Sequence, residues 1–170
     1  MKKILTIIFL GLMFSGNVYA EEIILKCESE LWKGKDGKWE SIKGEYTDII
    51  IINTDKKNWK YSNTKLGGEH PLIITDEFFG TYSVASYIYG KANPTISIGY
   101  TEINRYNGKS LDVETKVPVP VGKKLQKLDN GRSKTKAYEA TKSKAISYSQ
   151  SNIKESRKAK SNCKKTKKAF

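Results

Sequence analysis

The chain of 170 residues contains only one histidine, two cysteines and four prolines. So few histidines and cysteines cannot form a four-ligand zinc site, and neither a metal nor another cofactor is expected. Two cysteines exclude a miniprotein built on several disulfides, and the composition excludes a collagen-like repeat. Beyond residue 20 no apolar run is long enough to span a membrane, and the length excludes a multidomain enzyme.

Residues 1–20 have the features of an export signal. Lys2 and Lys3 are followed by an apolar run over residues 4–14, and Val18 and Ala20 precede the expected cleavage site. A membrane anchor is the alternative, but a run of about 11 residues is too short for about 30 Å of hydrocarbon. We therefore predict a signal peptide that is removed after Ala20, and a periplasmic or secreted protein.

Cys27 and Cys163 lie near opposite ends of the predicted mature chain. An even number of cysteines in an exported protein favours a disulfide, because the compartment is oxidising. Closing so long a loop stabilises the fold by about 4–5 kcal/mol on the chain-entropy model. The sequence predicts a Cys27–Cys163 disulfide, with two free thiols as the alternative.

The formal net charge of +13 is distributed very unevenly. Residues 21–122 contain 13 basic and 15 acidic residues, whereas residues 123–170 contain 16 basic and three acidic ones. The first segment also has 23 Ile, Leu or Val and 12 aromatic residues, against four and three in the second. Only the first segment can bury an apolar core large enough to offset the conformational entropy that the chain loses when it folds. We predict a β domain over residues 21–122 and a basic tail over residues 123–170, with the boundary at residues 116–122.

Short strands are predicted along the first segment, because apolar and polar residues alternate there. Ile23, Leu25 and Cys27 share one face of the first strand, and residues 34–37 form a turn. The pattern predicts an all-β fold, an antiparallel meander of about seven or eight strands that forms a small barrel or a curved sheet. A two-layer sandwich is the alternative. The candidate strands cover residues 23–31, 38–42, 49–52, 59–61, 72–75, 81–89, 96–106 and 109–119.

Asn107-Gly108 is typical of a two-residue hairpin turn in which both residues have positive φ. In that register Ile103 falls on the face opposite Ile96 and Ile98, which predicts a strand covered on both sides or bulged near Gly99. The predicted cross-strand pairs are Tyr106–Lys109, Asn104–Leu111, Glu102–Val113, Ile98–Val117 and Ile96–Val119.

Lysine and serine dominate the tail, and no glycine or proline occurs after residue 131. Tyr138, Ala145 and Ile153 do not form a continuous apolar stripe, and like charges repel one another. We predict disorder or a marginal, fraying helix between roughly Ser133 and Lys160.

No catalytic residue is predicted. His70 lacks the sequence context of a catalytic triad, and we interpret it as a surface loop histidine. Glu28 with Glu30, and Asp112 with Glu114, occupy alternate strand positions that are typical of a solvated face. They do not indicate the paired carboxylates of a glycoside hydrolase.

The aromatic residues of the β segment have two interpretations. They fill a small β core, or some of them line a groove for an apolar or carbohydrate ligand. Core packing is the simpler interpretation, because aromatic side chains are common cross-strand partners.

The basic residues of the tail are candidates for contact with a polyanion. Anionic lipid, acidic polysaccharide and an acidic envelope protein are the expected partner classes, whereas export argues against genomic nucleic acid. A solvated lysine-rich tail without a partner is the alternative. The candidate contact residues are Lys123, Lys124, Arg157, Lys158, Lys160, Lys164, Lys165, Lys167 and Lys168.

Three features besides the signal peptide resemble a loose group of short, uncharacterised exported β-rich proteins of bacteria with AT-rich genomes. They are the early strand at residues 23–27 with its cysteine, the Ile-x-Arg-x-x-Gly segment at residues 103–108, and the Cys-Lys-Lys at residues 163–165. The resemblance implies export and a β fold, and it transfers no activity.

The sequence therefore predicts an exported, non-enzymatic protein with a binding or structural role in the cell envelope. Two more specific hypotheses follow. The first is a polyanion or anionic-surface binder that acts through the tail, and the second is a carrier of a small apolar ligand inside an aromatic-lined barrel.

Overall fold

The computed structural model describes residues 22–62, 68–88, 94–131 and 133–166. In these residues one antiparallel sheet of nine strands is accompanied by two α-helices and a short 3-10 helix. The predicted all-β class is confirmed, with nine strands instead of seven or eight. The strands are β1 (Glu22–Lys35), β2 (Lys38–Asn53), β3 (Asn58–Tyr61), β4 (His70–Pro71), β5 (Ile73–Ile74), β6 (Phe78–Ile88), β7 (Thr95–Asn104), β8 (Lys109–Pro118) and β9 (Ser156–Lys165).

The sheet curves into a nearly closed barrel. Its strand order is β4-β3-β2-β1-β9-β8-β7-β6-β5, so the two edge strands are β4 and β5. Only Leu72 separates these two strands in the chain, and the segment therefore bends from one edge of the sheet to the other. The Thr81 hydroxyl on β6 donates a hydrogen bond to the Pro71 carbonyl at 2.8 Å and ties the edges together. This closure favours the predicted barrel over the sandwich.

The first hairpin forms as predicted. Asp36 and Gly37 have φ of 48° and 75°, and Lys35 pairs with Lys38. Two consecutive residues with positive φ make a turn whose twist matches that of the flanking strands.

The predicted register of the β7–β8 hairpin is wrong by two residues. Ile98 pairs with Thr115 and Ile96 with Val117. The loop covers four residues, because the Asn104 side-chain oxygen accepts hydrogen bonds from the backbone N–H groups of Tyr106 and Asn107. Since two residues is a full side-chain period of a strand, the aliphatic side chains keep their predicted face.

The prediction of a separate, poorly ordered tail is wrong for the described residues. β9 pairs with β1 on one side and β8 on the other, so it lies at the centre of the sheet. Small side chains at Ala159, Ser161 and Cys163 fit the barrel interior. The lysines that alternate with them occupy the outer face, where solvent accommodates their charge.

Two helices, α1 (Val119–Asp129) and α2 (Lys134–Ser151), cover the outer face of β6, β7 and β8. Pro120 lies in the first turn of α1, where a missing N–H costs little. Ala137, Tyr138 and Ala145 of α2 are fully buried. The helix is therefore stabilised by packing, which the weak apolar stripe of the sequence does not indicate.

The described residues form two apolar cores on opposite sides of the sheet. The outer core lies under the helices and includes Ile96, Ile98 and Tyr138. The inner core fills one part of the barrel and includes Trp59 and Ile103. The prediction that Ile103 lies on the face opposite Ile96 and Ile98 of a strand covered on both sides is confirmed.

Cys27 and Cys163 form the predicted disulfide, with an S–S distance of 2.10 Å. They are directly opposite each other on β1 and β9, and both are buried in the inner core. Such a bond is typical of proteins outside the reducing cytosol. The predicted signal peptide, residues 1–20, lies outside the described residues. None of the helices within the described ranges has the length and apolarity needed to cross a bilayer.

Candidate functional site

The pleat of β9 divides the predicted basic contact residues between two faces. Lys158, Lys160 and Lys164 share the outer face, whereas Arg157 and Lys165 share the face of Cys163. Lys123 and Lys124 lie at exposed positions on α1, and Lys167 and Lys168 lie outside the described residues. The structure therefore does not bring the candidate residues together as one cluster.

Two tryptophans lie beside the outer lysines of β9. Trp32 pairs with Lys158 across β1 and β9, and Trp39 pairs with Gly34 on the same outer face. The Lys158 ammonium is 4.5 Å from the centroid of the Trp39 ring and 5.5 Å from that of Trp32. The Lys160 ammonium is 5.6 Å from the Trp32 ring. We call Trp32, Trp39, Lys158 and Lys160 the tryptophan–lysine face.

The two lysines of this face form no ion pair within the described residues, although Glu30 lies directly opposite Lys160 across β1 and β9. Among the described residues, no carboxylate oxygen lies within 4.0 Å of the Lys158 or Lys160 ammonium group. Burial and the neighbouring Lys160 charge lower the pKa of Lys158. An external anion would relieve both effects, because it would replace lost hydration and screen the repulsion between the ammonium groups.

A wide groove of about 1160 Å³ adjoins the tryptophan–lysine face at Lys160. Its charged lining residues are mostly acidic, which limits an anion to the tryptophan–lysine face. These residues are Glu28, Glu30, Glu45, Glu77 and Glu102, with Lys26, Lys109 and Lys160 as the basic ones.

The barrel interior holds a second polar cluster. The Thr101 hydroxyl donates a hydrogen bond to the Asp112 carboxylate, with an O–O distance of 2.5 Å. The same hydroxyl can accept a hydrogen bond from the Tyr61 hydroxyl at 3.1 Å. Burial, together with the smaller effects of the Glu114 and Asp48 charges, raises the pKa of Asp112 to about 6 despite the Thr101 hydrogen bond. Asp112 is thus partly buried on the inner side of the sheet, which corrects the sequence-based interpretation of this residue, whereas Glu114 is exposed as predicted.

A cavity of about 190 Å³ adjoins this cluster, and hydroxyl, imidazole and carboxylate groups line it. The cavity is below the usual 300–1,000 Å³ of ligand pockets, and its polar lining does not favour the predicted apolar ligand. Trp59, which is fully buried, fills the inner core instead.

His70 also lines this cavity, so its interpretation as a surface loop residue is wrong. It belongs to β4, is half-buried and approaches the Tyr61 ring edge-on, with ring centroids 6.0 Å apart. Burial lowers the pKa of the imidazole, which favours the neutral form. In the described part of the chain, His70 forms no hydrogen bond with a serine or a carboxylate.

The described residues contain no group of three or more His, Cys, Asp or Glu side chains placed to hold a metal ion. The sequence matches no protein family model, and no curated protein or solved structure is significantly similar to it. The tryptophan–lysine face and the polar cavity are therefore the two regions from which function is inferred.

The sequence contains a signal for part of the tryptophan–lysine face. The alternation of lysines with Ala159, Ser161 and Cys163 is a strand signal within the basic segment. Sequence reasoning missed Trp32 and Trp39 as neighbours of these lysines, because only the pairing of β9 with β1 brings them together.

Proposed function

We propose that the protein is a non-enzymatic binding protein that binds an acidic polysaccharide through the tryptophan–lysine face. The supporting observation is that Lys158 and Lys160 lie over Trp32 and Trp39 and that neither lysine forms an ion pair with another described residue. The uncovered parts of the two indole rings offer apolar surface for a sugar ring, and the ammonium groups beside them offer charge for carboxylates or sulfates.

An extended acidic polymer fits this face better than a lipid surface does. Membrane recognition by charge commonly uses about four to eight clustered basic residues. The tryptophan–lysine face has two lysines, and both indole rings are partly covered by the side chains around them. A single polymer chain can contact both lysines and both rings, whereas a bilayer would also meet the acidic residues of the adjoining groove.

We propose that the protein acts in the periplasm or after secretion. The basic, apolar and small-residue pattern of residues 1–20 supports export, and the buried disulfide supports an oxidising compartment. Both are compatible with a polysaccharide of the cell envelope as the ligand.

Binding to immobilised dextran sulfate tests the proposal. Truncation after Gly122 would remove β9 and Cys163, so point substitutions are required. Replacing Lys158 and Lys160 together by glutamine should weaken binding about tenfold or more, since each basic contact contributes about 1 kcal/mol. The matched control replaces Lys123 and Lys124 by glutamine, which changes the net charge equally on α1 and should reduce affinity less than about twofold.

Equal losses in both double variants would mean that net charge causes the binding, and would contradict the proposal. Tighter binding to phosphatidylserine vesicles than to dextran sulfate would identify a membrane ligand instead. Unsulfated dextran should be retained weakly, and retention of dextran sulfate should fall steeply as salt is raised.

A further inference from the structure

The polar cavity inside the barrel is separate from the tryptophan–lysine face. Tyr61, Thr101 and Asp112 point to the inner side of the sheet, because they share the strand faces that carry the inner core. The lysines and tryptophans of the binding face lie on the outer side. A ligand in the cavity would therefore not compete directly with a polysaccharide.

Asp112 is a partly buried carboxylate that forms no ion pair within the described part of the chain. One of its oxygens accepts the Thr101 hydroxyl, and within the described residues no Lys, Arg or His nitrogen lies within 4.0 Å of it. Charges in such surroundings are ordinarily paired, because the lost hydration must be replaced. A nonpolar side chain would fill a small barrel at lower cost.

The other groups around the cavity add negative potential and hydrogen-bond acceptors. Glu114 lies on the same strand face as Asp112, and its side chain accepts a hydrogen bond from Ser97. Asp48 contributes a further negative charge from β2, while His70 is shifted toward its neutral form. Arg157 lies opposite Glu114 across β8 and β9 on the same side of the sheet, but it does not line the cavity. A cationic ligand is therefore favoured over an anion or an uncharged apolar molecule.

We propose that this cavity binds a small organic cation of the guanidinium or amidinium class, with the Asp112 carboxylate as its counter-ion. A planar cation with several N–H donors matches the available acceptors, which are the Asp112 carboxylate, the neutral His70 imidazole and the hydroxyls of Thr81 and Ser83. The small cavity limits the ligand to a few heavy atoms. A metal ion fits less well, because the described residues offer no group of three ligands for one.

NMR titration of the protein with methylguanidinium at pH 8 tests this proposal. Saturable shifts are expected at the backbone amides of Gly99 and Thr101, which line the cavity. N-methylurea, a neutral molecule of almost the same shape, should cause less than a tenth of the shift. Asp112→Asn should abolish saturation, whereas Asp55→Asn, the same change in an exposed turn, should leave it unchanged.

Equal responses to methylguanidinium and N-methylurea would overturn the proposal, as would unchanged binding in Asp112→Asn. Shifts limited to exposed glutamates would also overturn it, because they would show only surface association. Tyr61→Phe provides a second cavity variant, in which the Thr101 hydroxyl loses its donor and methylguanidinium binding should weaken about threefold. The Lys158 and Lys160 double glutamine variant should bind methylguanidinium normally, so this proposal can fail independently of polysaccharide binding.

Discussion

Asp112 is the residue whose observed environment differs most from the one predicted from the sequence. Two acidic residues at alternate positions of a strand ordinarily indicate a face exposed to water. Closure of the barrel instead places Asp112 beside Thr101 and the rings of the inner sheet face. A short sequence window contains no information about that closure, because it depends on pairing between strands far apart in the chain.

Asp112→Asn should stabilise the protein near neutral pH. The folded pKa of about 6 lies above the ordinary value of 3.8, so burial penalises the ionised carboxylate in the folded state. The wild-type protein therefore loses stability as the pH rises from about 4 to about 6. Asparagine keeps the shape and can still accept the Thr101 hydrogen bond, and it should raise the free energy of unfolding at pH 7.5 by about 2–3 kcal/mol.

Urea denaturation at pH 7.5 and pH 3.5 measures this effect. The gain should largely vanish at pH 3.5, where Asp112 is mostly protonated in both the folded and unfolded states. The variant Asp55→Asn serves as the control, because it retains Asp48, Glu114 and the other carboxylates that titrate in the same pH range. The difference between the two variants therefore reports the effect of Asp112. A lower stability of Asp112→Asn at pH 7.5 would show that the ionised carboxylate stabilises the fold.

At the scale of elements, the β7–β8 hairpin shows how a contact between distant segments fixes a local turn. Gly108 has a φ of 68°, and its carbonyl accepts a hydrogen bond from the Cys163 N–H at 2.9 Å. A Cβ at this position would lie 2.1 Å from the Cys163 carbonyl oxygen. The dipeptide Asn107-Gly108 predicted a turn correctly, but its length depends on the Asn104 side chain and on β9.

Gly108→Ala should destabilise the protein more than Gly37→Ala. Both glycines have positive φ, but a Cβ at Gly37 would meet nothing within 4 Å. Gly37→Ala should cost about 1–2 kcal/mol through backbone strain alone, and Gly108→Ala about 1–3 kcal/mol more through the clash with β9. Thermal or urea unfolding of the two variants provides the comparison, and equal losses would mean that β9 does not lie against this turn.

The order of the helix α2 and the strand β9 was not predicted from the sequence, and the reason is the same for both. Both bury small side chains, such as Ala137 and Ala145 in the helix and Ser156 in the strand, that contribute little to an apolar pattern. Small residues nevertheless allow close packing against a sheet or inside a barrel. The early strands, with their Ile, Leu and aromatic residues, gave a clearer pattern, although the two strands predicted at residues 38–42 and 49–52 form the single strand β2.

For the whole molecule, the uneven charge does not divide the chain into a folded domain and an appendage. Fold class and disulfide pairing were predictable from strand alternation and cysteine number. The positions of the lysines were not predictable, because their surroundings depend on β9 lying between β1 and β8. The outer face of that strand supports polysaccharide binding, and the inner side of the same sheet contains the polar cavity.

The most direct test of this account is an NMR titration with a short sulfated dextran oligosaccharide. We predict shifts at the indole N–H groups of Trp32 and Trp39 and at the backbone amides of Lys158 and Lys160. The indole of Trp59, which is fully buried in the inner core, should not respond. Shifts centred instead on Lys123 and Lys124 of α1, with the two outer indoles unchanged, would contradict the assignment of the tryptophan–lysine face as the binding surface.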